Sequence, residues 1–174
     1  VEWEEDTDRL LHILPITGLV YRKSYFSPEL DRNKSELVLG HHLTVNKNAK
    51  SLETVPRATH YFELYPNQIQ ERIRDETFID ANLGIAENAG DDDDAPHIFL
   101  EQHRRLDLDK DGYAEPYIVT IHQQTSKVMR IVANYEFEEI HLNTKREVAK
   151  INPVEYFTKY SFIPNPDGSF HDIG

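Results

Sequence analysis

Between Leu106 and His122 the chain reads LDLDKDGYAEPYIVTIH. Asp107, Asp109, Asp111 and Gly112 match the opening of a DxDxDG calcium loop. Calcium takes about six to eight hard oxygen ligands, and acids two residues apart all turn inward when a loop coils around an ion. A glycine at the bend permits the backbone angle that the coil needs. The twelfth position of the full loop calls for a bidentate Glu, and here it is Ile118. Glu115 occupies the ninth, a position that generally acts through water. The flanks read as strands, so the pattern is not an EF-hand. The candidate metal ligands are therefore Asp107, Asp109, Asp111 and Glu115, for calcium. The plainer reading of the same residues is a tight Asp-Lys-Asp-Gly turn, with Gly112 at positive φ and the carboxylates capping loop amides.

Other chemistries find less footing. Nine histidines invite a metal reading, but there is no HExxH and no cysteine. His41 and His42 are adjacent, so in a strand they point to opposite faces. His97 and the Glu101-Gln102-His103 run form no spaced ligand set, and scattered surface or satisfied histidines are expected. There is no GxSxG and no phosphate-cradling glycine loop, and only seven glycines occur in the chain. No catalytic or cofactor-binding residue is assigned, and the chain is expected not to be an enzyme. A hydrolase built from clustered acids and histidines would need them to converge in one pocket.

The composition suits one globular domain or two small ones: 174 residues, 39% hydrophobic and 29% charged. The net charge is −12, but Glu87 and Asp91–Asp94 supply five of the negative charges. Residues 1–86 carry 14 acids against 10 bases, and residues 97–174 carry 12 against 9. Neither part offers the basic face that clamps phosphates, which argues against tight DNA binding. No apolar run of membrane-spanning length occurs, and no membrane contact is expected. With no cysteine and no basic-then-apolar leader, a cytoplasmic setting is expected. The chain opens on Val1 and closes just after a turn rich in Pro, Asn, Asp and Gly, as expected of a piece of a larger protein.

Hydrophobic spacing supplies the elements. Residues 1–14 predict a helix with Trp3, Leu10, Ile13 and Leu14 near one face, acids in its first half, and Pro15 at its end. Gly18–Phe26 and Glu36–Asn46 predict strands, the second with Gly40 as a bulge or corner, joined by a turn over SPELDRNKSE. The segment from Ala49 to Phe78 reads as helical in places, with a break near Val55 and a helix opening at Asn67. Residues 87–96 predict a mobile acidic linker with nothing to bury.

From His97 onward strands dominate: HIFLEQHRRLDLD, YAEPYIVTIHQ, KVMRIVANYEF and REVAKINPVEYF, separated by turns at DKDG, QQTSK and EIHLNTK. In YIVTIH both faces carry bulky apolar groups, which predicts cover on both sides, and KVMRIVANYEF is expected to pair with it as a hairpin across QQTSK. The tail SFIPNPDGSFHDIG predicts a rigid arm or loop. The expected class is α+β, with an antiparallel sheet in the C-terminal half and an N-terminal helix and one or two further helices packed on it. The expected division is a mixed part over 1–86, the linker over 87–96, and a β part over 97–174. Tyr156, Phe157, Tyr160, Phe162 and Phe170 crowd the end of the chain, either as core or as a subunit contact.

Several of these phrases together resemble one family. EVAKINPVEYFTKYSFIPNPDGSFHDIG and LDLDKDGYAEPYIVTIHQQTSKVMRIV resemble stretches of the portal proteins of tailed bacteriophages and prophages. DRLLHILPITGLVYRKSYFSPEL and SLETVPRATHYFELYPNQIQERI resemble the same family in the same order, so the resemblance spans nearly the whole chain. It implies a wing-region fragment of a structural subunit that assembles into a ring, twelve subunits in most of the family, at one capsid vertex. DNA passes through that ring during packaging and ejection without specific binding. The partners implied for the parent protein are terminase, scaffold, capsid and neck or tail proteins, and the implied location is the virion, with the host cytoplasm during assembly. The stem, clip and tunnel-lining loop of the family have no counterpart here. The alternative is a calcium-stabilised, β-rich binding module built on the DxDxDG turn.

Overall fold

The computed structural model describes residues 2–27, 31–87, 89–90, 92 and 94–173. The centre of the turn expected at SPEL, Pro28–Leu30, lies outside the described residues, as do Asp91 and Asp93 of the acidic run. In chain order the first elements are α1 (Glu2–Thr17), β1 (Leu19–Ser27), β2 (Arg32–Leu39), β3 (Leu43–Val45), β4 (Arg57–Leu64) and α2 (Pro66–Arg74). They are followed by β5 (His97–Leu106), β6 (Glu115–His122), β7 (Val128–Ala133), β8 (Ile140–Leu142), β9 (Val148–Ile151) and β10 (Phe157–Ser161). The class is α+β, with antiparallel strands dominating the C-terminal half.

Two compact units emerge, and their boundary is not the acidic run. One unit comprises Val1–Ala58 with Glu155–Gly174, and the other comprises Thr59–Val154. The expected linker at 87–96 thus falls inside the second unit. Its described residues do bury something: Ala86, Ala89 and Ala95 form a small cluster, held by turn bonds from Ala89 N–H to the Ala86 carbonyl (3.0 Å) and from Ala95 N–H to the Asp92 carbonyl (3.2 Å). Alanine buries without producing an apolar pattern, so a charge count alone misses it.

In the first unit, α1 runs past the proline expected to end it. Pro15 lacks only the N–H that would reach Leu11. The hydroxyl of Thr17 still donates to the Ile13 carbonyl (3.2 Å), and the Gly18 N–H donates to the Leu14 carbonyl (2.9 Å). Gly18, at φ 74°, supplies the left-handed residue that closes the helix. A three-stranded antiparallel sheet, β10-β1-β2, sets Tyr21 opposite both Lys159 and Val38. Its core is Leu19, Tyr21, Val38, Leu43, Ala58, Phe157 and Phe170. Arg22 is buried, donating to the Thr7 hydroxyl with its guanidinium 5.3 Å from the centre of the Trp3 ring. The chain turns at Gly40–His42 in a single 3₁₀ turn, where a β-carbon on Gly40 would meet the Leu19 carbonyl oxygen at 2.9 Å. His41 and His42 therefore do not point to opposite faces of a strand; their rings stand edge to face, 4.2 Å apart.

In the second unit, β4-β5-β6-β7 are consecutive neighbours in one sheet, and β8 pairs with β9 in a separate two-stranded ribbon. The register of β5 with β6 runs from Leu106↔Glu115 to Phe99↔His122. The β6–β7 hairpin forms across QQTSK as expected, with a shift in register between Thr120 and Ile121. Val119 on one face of β6, and Thr120 and His122 on the other, are all buried. RATHYFEL, read as part of a helical segment, is a strand. α2 opens one residue before the expected Asn67, where Pro66 sits at its first position and the Gln68 side chain accepts from the Tyr65 N–H (2.9 Å). The core here is Leu64, Ile69, Phe78, Leu83, Phe99 and Met129.

Candidate functional site

The acidic loop closes the β5–β6 hairpin. The Gly112 N–H donates to Asp107 Oδ2 (3.1 Å), the Asp111 N–H to Asp109 Oδ1 (3.2 Å), and the Tyr113 N–H to Asp111 Oδ1 (2.8 Å). Gly112, at φ 96°, and Lys110, at φ 65°, take the left-handed angles of the bend. These bonds draw one oxygen of each carboxylate to within 4.8 Å of the others, and all three side chains are exposed. Glu115 is not part of that gathering. It begins β6, where its Oε2 is buried with no hydrogen-bond partner among the described residues. The turn is also fastened from behind. The Ile151 N–H donates to the Tyr113 hydroxyl (2.9 Å), and Arg105 donates to the carbonyls of Ala114 (3.4 Å) and Ile151 (3.1 Å).

A second constellation lies at the other end of the same strand pair. His97 and His122 are both buried, with Nδ1 of His97 3.1 Å from Nε2 of His122. The Thr125 hydroxyl (2.8 Å) and the Thr125 N–H (3.4 Å) both meet Nδ1 of His122. That arrangement assigns the His122 proton to Nε2, from which it is donated to Nδ1 of His97. Burial pushes both imidazoles below the ordinary value of 6.5, and for His122 the charges of His97 and Lys127 push the same way. The rings lie beside a pocket of about 10 Å³, enough for about one water, whose lining includes Glu87, Gln123 and Gln124. An aromatic row continues inward: Phe99 is 5.3 Å from the His122 ring, 5.8 Å from Phe62 and 5.6 Å from Phe78.

Scattered surface or satisfied histidines were expected; His97 and His122 are satisfied, but that they meet each other was not read from the sequence. The signal lay in the hairpin itself. Counting back from the turn, Leu106 opposite Glu115 brings Phe99 opposite His122, and His97 follows two residues on, on the same face. His103, also in β5, instead pairs with Glu101 (2.8 Å).

Of the C-terminal aromatics, Tyr156 packs partly buried against the core of the first unit. Phe157 and Phe170 are core, while Tyr160 and Phe162 are exposed. The tail folds back on itself through the Ile163↔Ile173 bridge. The Lys159 ammonium holds it in place. That group lies 2.7 Å from Asp172 Oδ2, donates to the Phe170 carbonyl (2.6 Å) and sits 4.6 Å from the centre of the Phe170 ring.

β8 was expected as part of a turn over EIHLNTK, whereas β9 lies in the expected strand REVAKINPVEYF. The register of the β8–β9 ribbon sets Leu142 opposite Val148, and both are exposed, at 57% and 37%. Phe137, just before β8, is 84% exposed. Among the described residues no helix is long and apolar enough to cross a membrane. Comparison with protein-family models and with curated proteins finds no match.

Proposed function

We propose that this chain is a wing segment of a portal-type subunit, a structural element of a ring at a capsid vertex, and that it works through protein–protein contacts and not through catalysis. The observation that carries the reading is the exposed Leu142–Val148 pair on the β8–β9 ribbon. A two-stranded ribbon is marginal by itself, and an apolar cross-strand pair facing water gains from being covered by another chain. Tyr160 and Phe162, exposed at the end of the first unit, supply aromatic surface of the type enriched where subunits meet. The mild acidity outside the acidic run, 14 acids against 10 bases over residues 1–86 and 12 against 9 over residues 97–174, suits a conduit wall, because like-charge repulsion keeps nucleic-acid phosphates from adhering. Electron microscopy of the complete subunit that carries this chain tests the reading. Closed rings around a central channel are expected, and particles that stay monomeric under all conditions would overturn it.

A second reading, a calcium-stabilised binding module, is supported by the gathering of Asp107, Asp109 and Asp111. Thermal melting separates the two. A Tm that rises saturably with sub-millimolar calcium and falls back with chelator favours the module, and a Tm indifferent to both, together with self-association of the complete subunit, favours the ring subunit.

A further inference from the structure

We infer that β2 is a pairing edge for a second copy of this chain, joined antiparallel across a two-fold axis at Ser35. The sheet of the first unit has the order β10-β1-β2, which leaves β2 at one edge. One bond fixes the phase of its backbone. The Ser24 N–H donates to the Tyr156 carbonyl (2.8 Å), on the side of β1 that carries β10. Backbone groups alternate sides along a strand, so Lys23 and Tyr25 face β2. Their partners, Glu36 and Lys34, face back toward β1, and Asn33, Ser35 and Leu37 turn their N–H and C=O groups to the outer edge. Among the described residues no backbone bond outside the β1–β2 ladder reaches these three. An edge strand of eight residues in this state is a template for another strand.

Charge selects the occupant and the register. Lys34 and Glu36 flank Ser35, both partly exposed, and bind each other at 2.6 Å. With Ser35 opposite its own copy, Asn33 meets Leu37 of the second copy, and Lys34 meets Glu36. The pairs at 34 and 36 are then the non-hydrogen-bonded ones, where side chains come closest and opposite charges gain most. Moving the axis by one residue sets Lys34 against Lys34 or Glu36 against Glu36, and moving it to Asn33 sets Arg32 against Lys34. Among axes from Asn33 to Leu37, the one at Ser35 alone matches opposite charges with no like-charge pair. Beside the edge, the exposed Trp3 and Phe26 line a groove with Asn33 and Ser35, aromatic surface of the type enriched where subunits meet. A two-fold contact closes on two copies and cannot propagate round a ring, so this contact is separate from those of the ring reading.

Sedimentation equilibrium of this 174-residue chain, paired with cysteine cross-linking, tests the edge. A monomer–dimer equilibrium is expected. Lys34→Glu and Glu36→Lys each set like charges opposite one another, and each is expected to raise the dissociation constant about tenfold or more. An equimolar mixture of the two variants is expected to restore association. The chain has no cysteine, so single introduced thiols report the register. Ser35→Cys, with Cα atoms about 5.5 Å apart across the axis, is expected to form a disulfide-linked dimer. Asn33→Cys, about 13 Å from its copy, is expected to stay uncrosslinked under the same oxidation. Neither cysteine removes a backbone bond to β1, so cross-linking remains informative if a charge variant fails to fold. Three outcomes overturn the inference: a chain that is monomeric at every concentration, an association that the charge variants do not weaken or their mixture does not restore, or Asn33→Cys cross-linking as readily as Ser35→Cys. Rings of the complete subunit with no pairing at Ser35 would sink this inference alone and leave the ring reading standing.

Discussion

Replacing Phe99 with alanine is expected to cost about 3–5 kcal/mol of folding free energy, the largest loss for any single truncation in the second unit. The ring is fully buried at 0% exposure and touches three aromatic neighbours, Phe62, Phe78 and His122. It lies where β5 meets β6, so the alanine leaves a hole at the centre of the sheet that backbone motion cannot close. The His122 ring would lose its packing at the same time. Urea unfolding measures the loss. Hydrogen exchange of the β5 and β6 amides assigns it to this unit, a needed step because the chain has two compact units and need not unfold in one transition. A loss under about 1 kcal/mol would remove Phe99 from the centre of the core.

Lys159→Met is expected to destabilise the first unit by about 2–3 kcal/mol at neutral pH. Breaking a buried ion pair costs more than the pair contributes, because the surviving charge stays buried without its partner. Asp172 is that survivor: its side chain is 4% exposed, while that of Lys159 is 23% exposed, which moderates the figure. The same substitution removes the bond to the Phe170 carbonyl and the cation over the Phe170 ring. Burial pushes the Asp172 carboxyl up, but the bonds from Lys159, Ser161 and the Asn165 N–H outweigh it and leave the group below its usual 3.8. A depressed carboxylate stabilises the fold above its unfolded value, and that contribution is lost as the pH falls through the folded value. The gap between wild type and variant is therefore expected to narrow below pH 3.8 in thermal melts taken across that range. A gap that stays constant with pH would assign the loss to packing against Phe170 and not to the ion pair.

The hairpins of the second unit were legible because two local signals agreed. Period-two alternation marked β6, strand-like composition marked β5 and β7, and DKDG and QQTSK marked the turns between them. The elements that went unread lacked such agreement. β8 is three residues long, too short for alternation to show, and its neighbours Asn143 and Lys145 signal a turn. RATHYFEL alternates only loosely, with Ala58, His60 and Leu64 buried and Phe62 half-buried, and it sits between helix-like segments. The extension of α1 past Pro15 depends on a threonine hydroxyl and a glycine amide, which composition does not rank.

For the sites, contiguity made the difference. Asp107, Asp109 and Asp111 are local in sequence, and their gathering follows from the turn chemistry of one short loop. Glu115 was added by counting positions along a loop, but the chain has already entered a strand there and the strand carries the side chain away. His97 and His122 are 25 residues apart and meet only through the register of two strands. The exposed pair Leu142–Val148 needs the same register knowledge, because each residue alone is an ordinary surface hydrophobe.

In the function proposed above, this chain works by packing against neighbouring copies of the same subunit. Solution mass measurement of the complete subunit, wild type against a Leu142→Glu, Val148→Lys double variant whose opposite charges face each other across the ribbon, tests it most directly. Both residues are exposed, so the variant is expected to fold with the stability of the wild type to within about 0.5 kcal/mol. The expected result is a closed oligomer for the wild type and a shift to monomers for the variant at the same concentration. An unchanged mass distribution for the two proteins would contradict the claim.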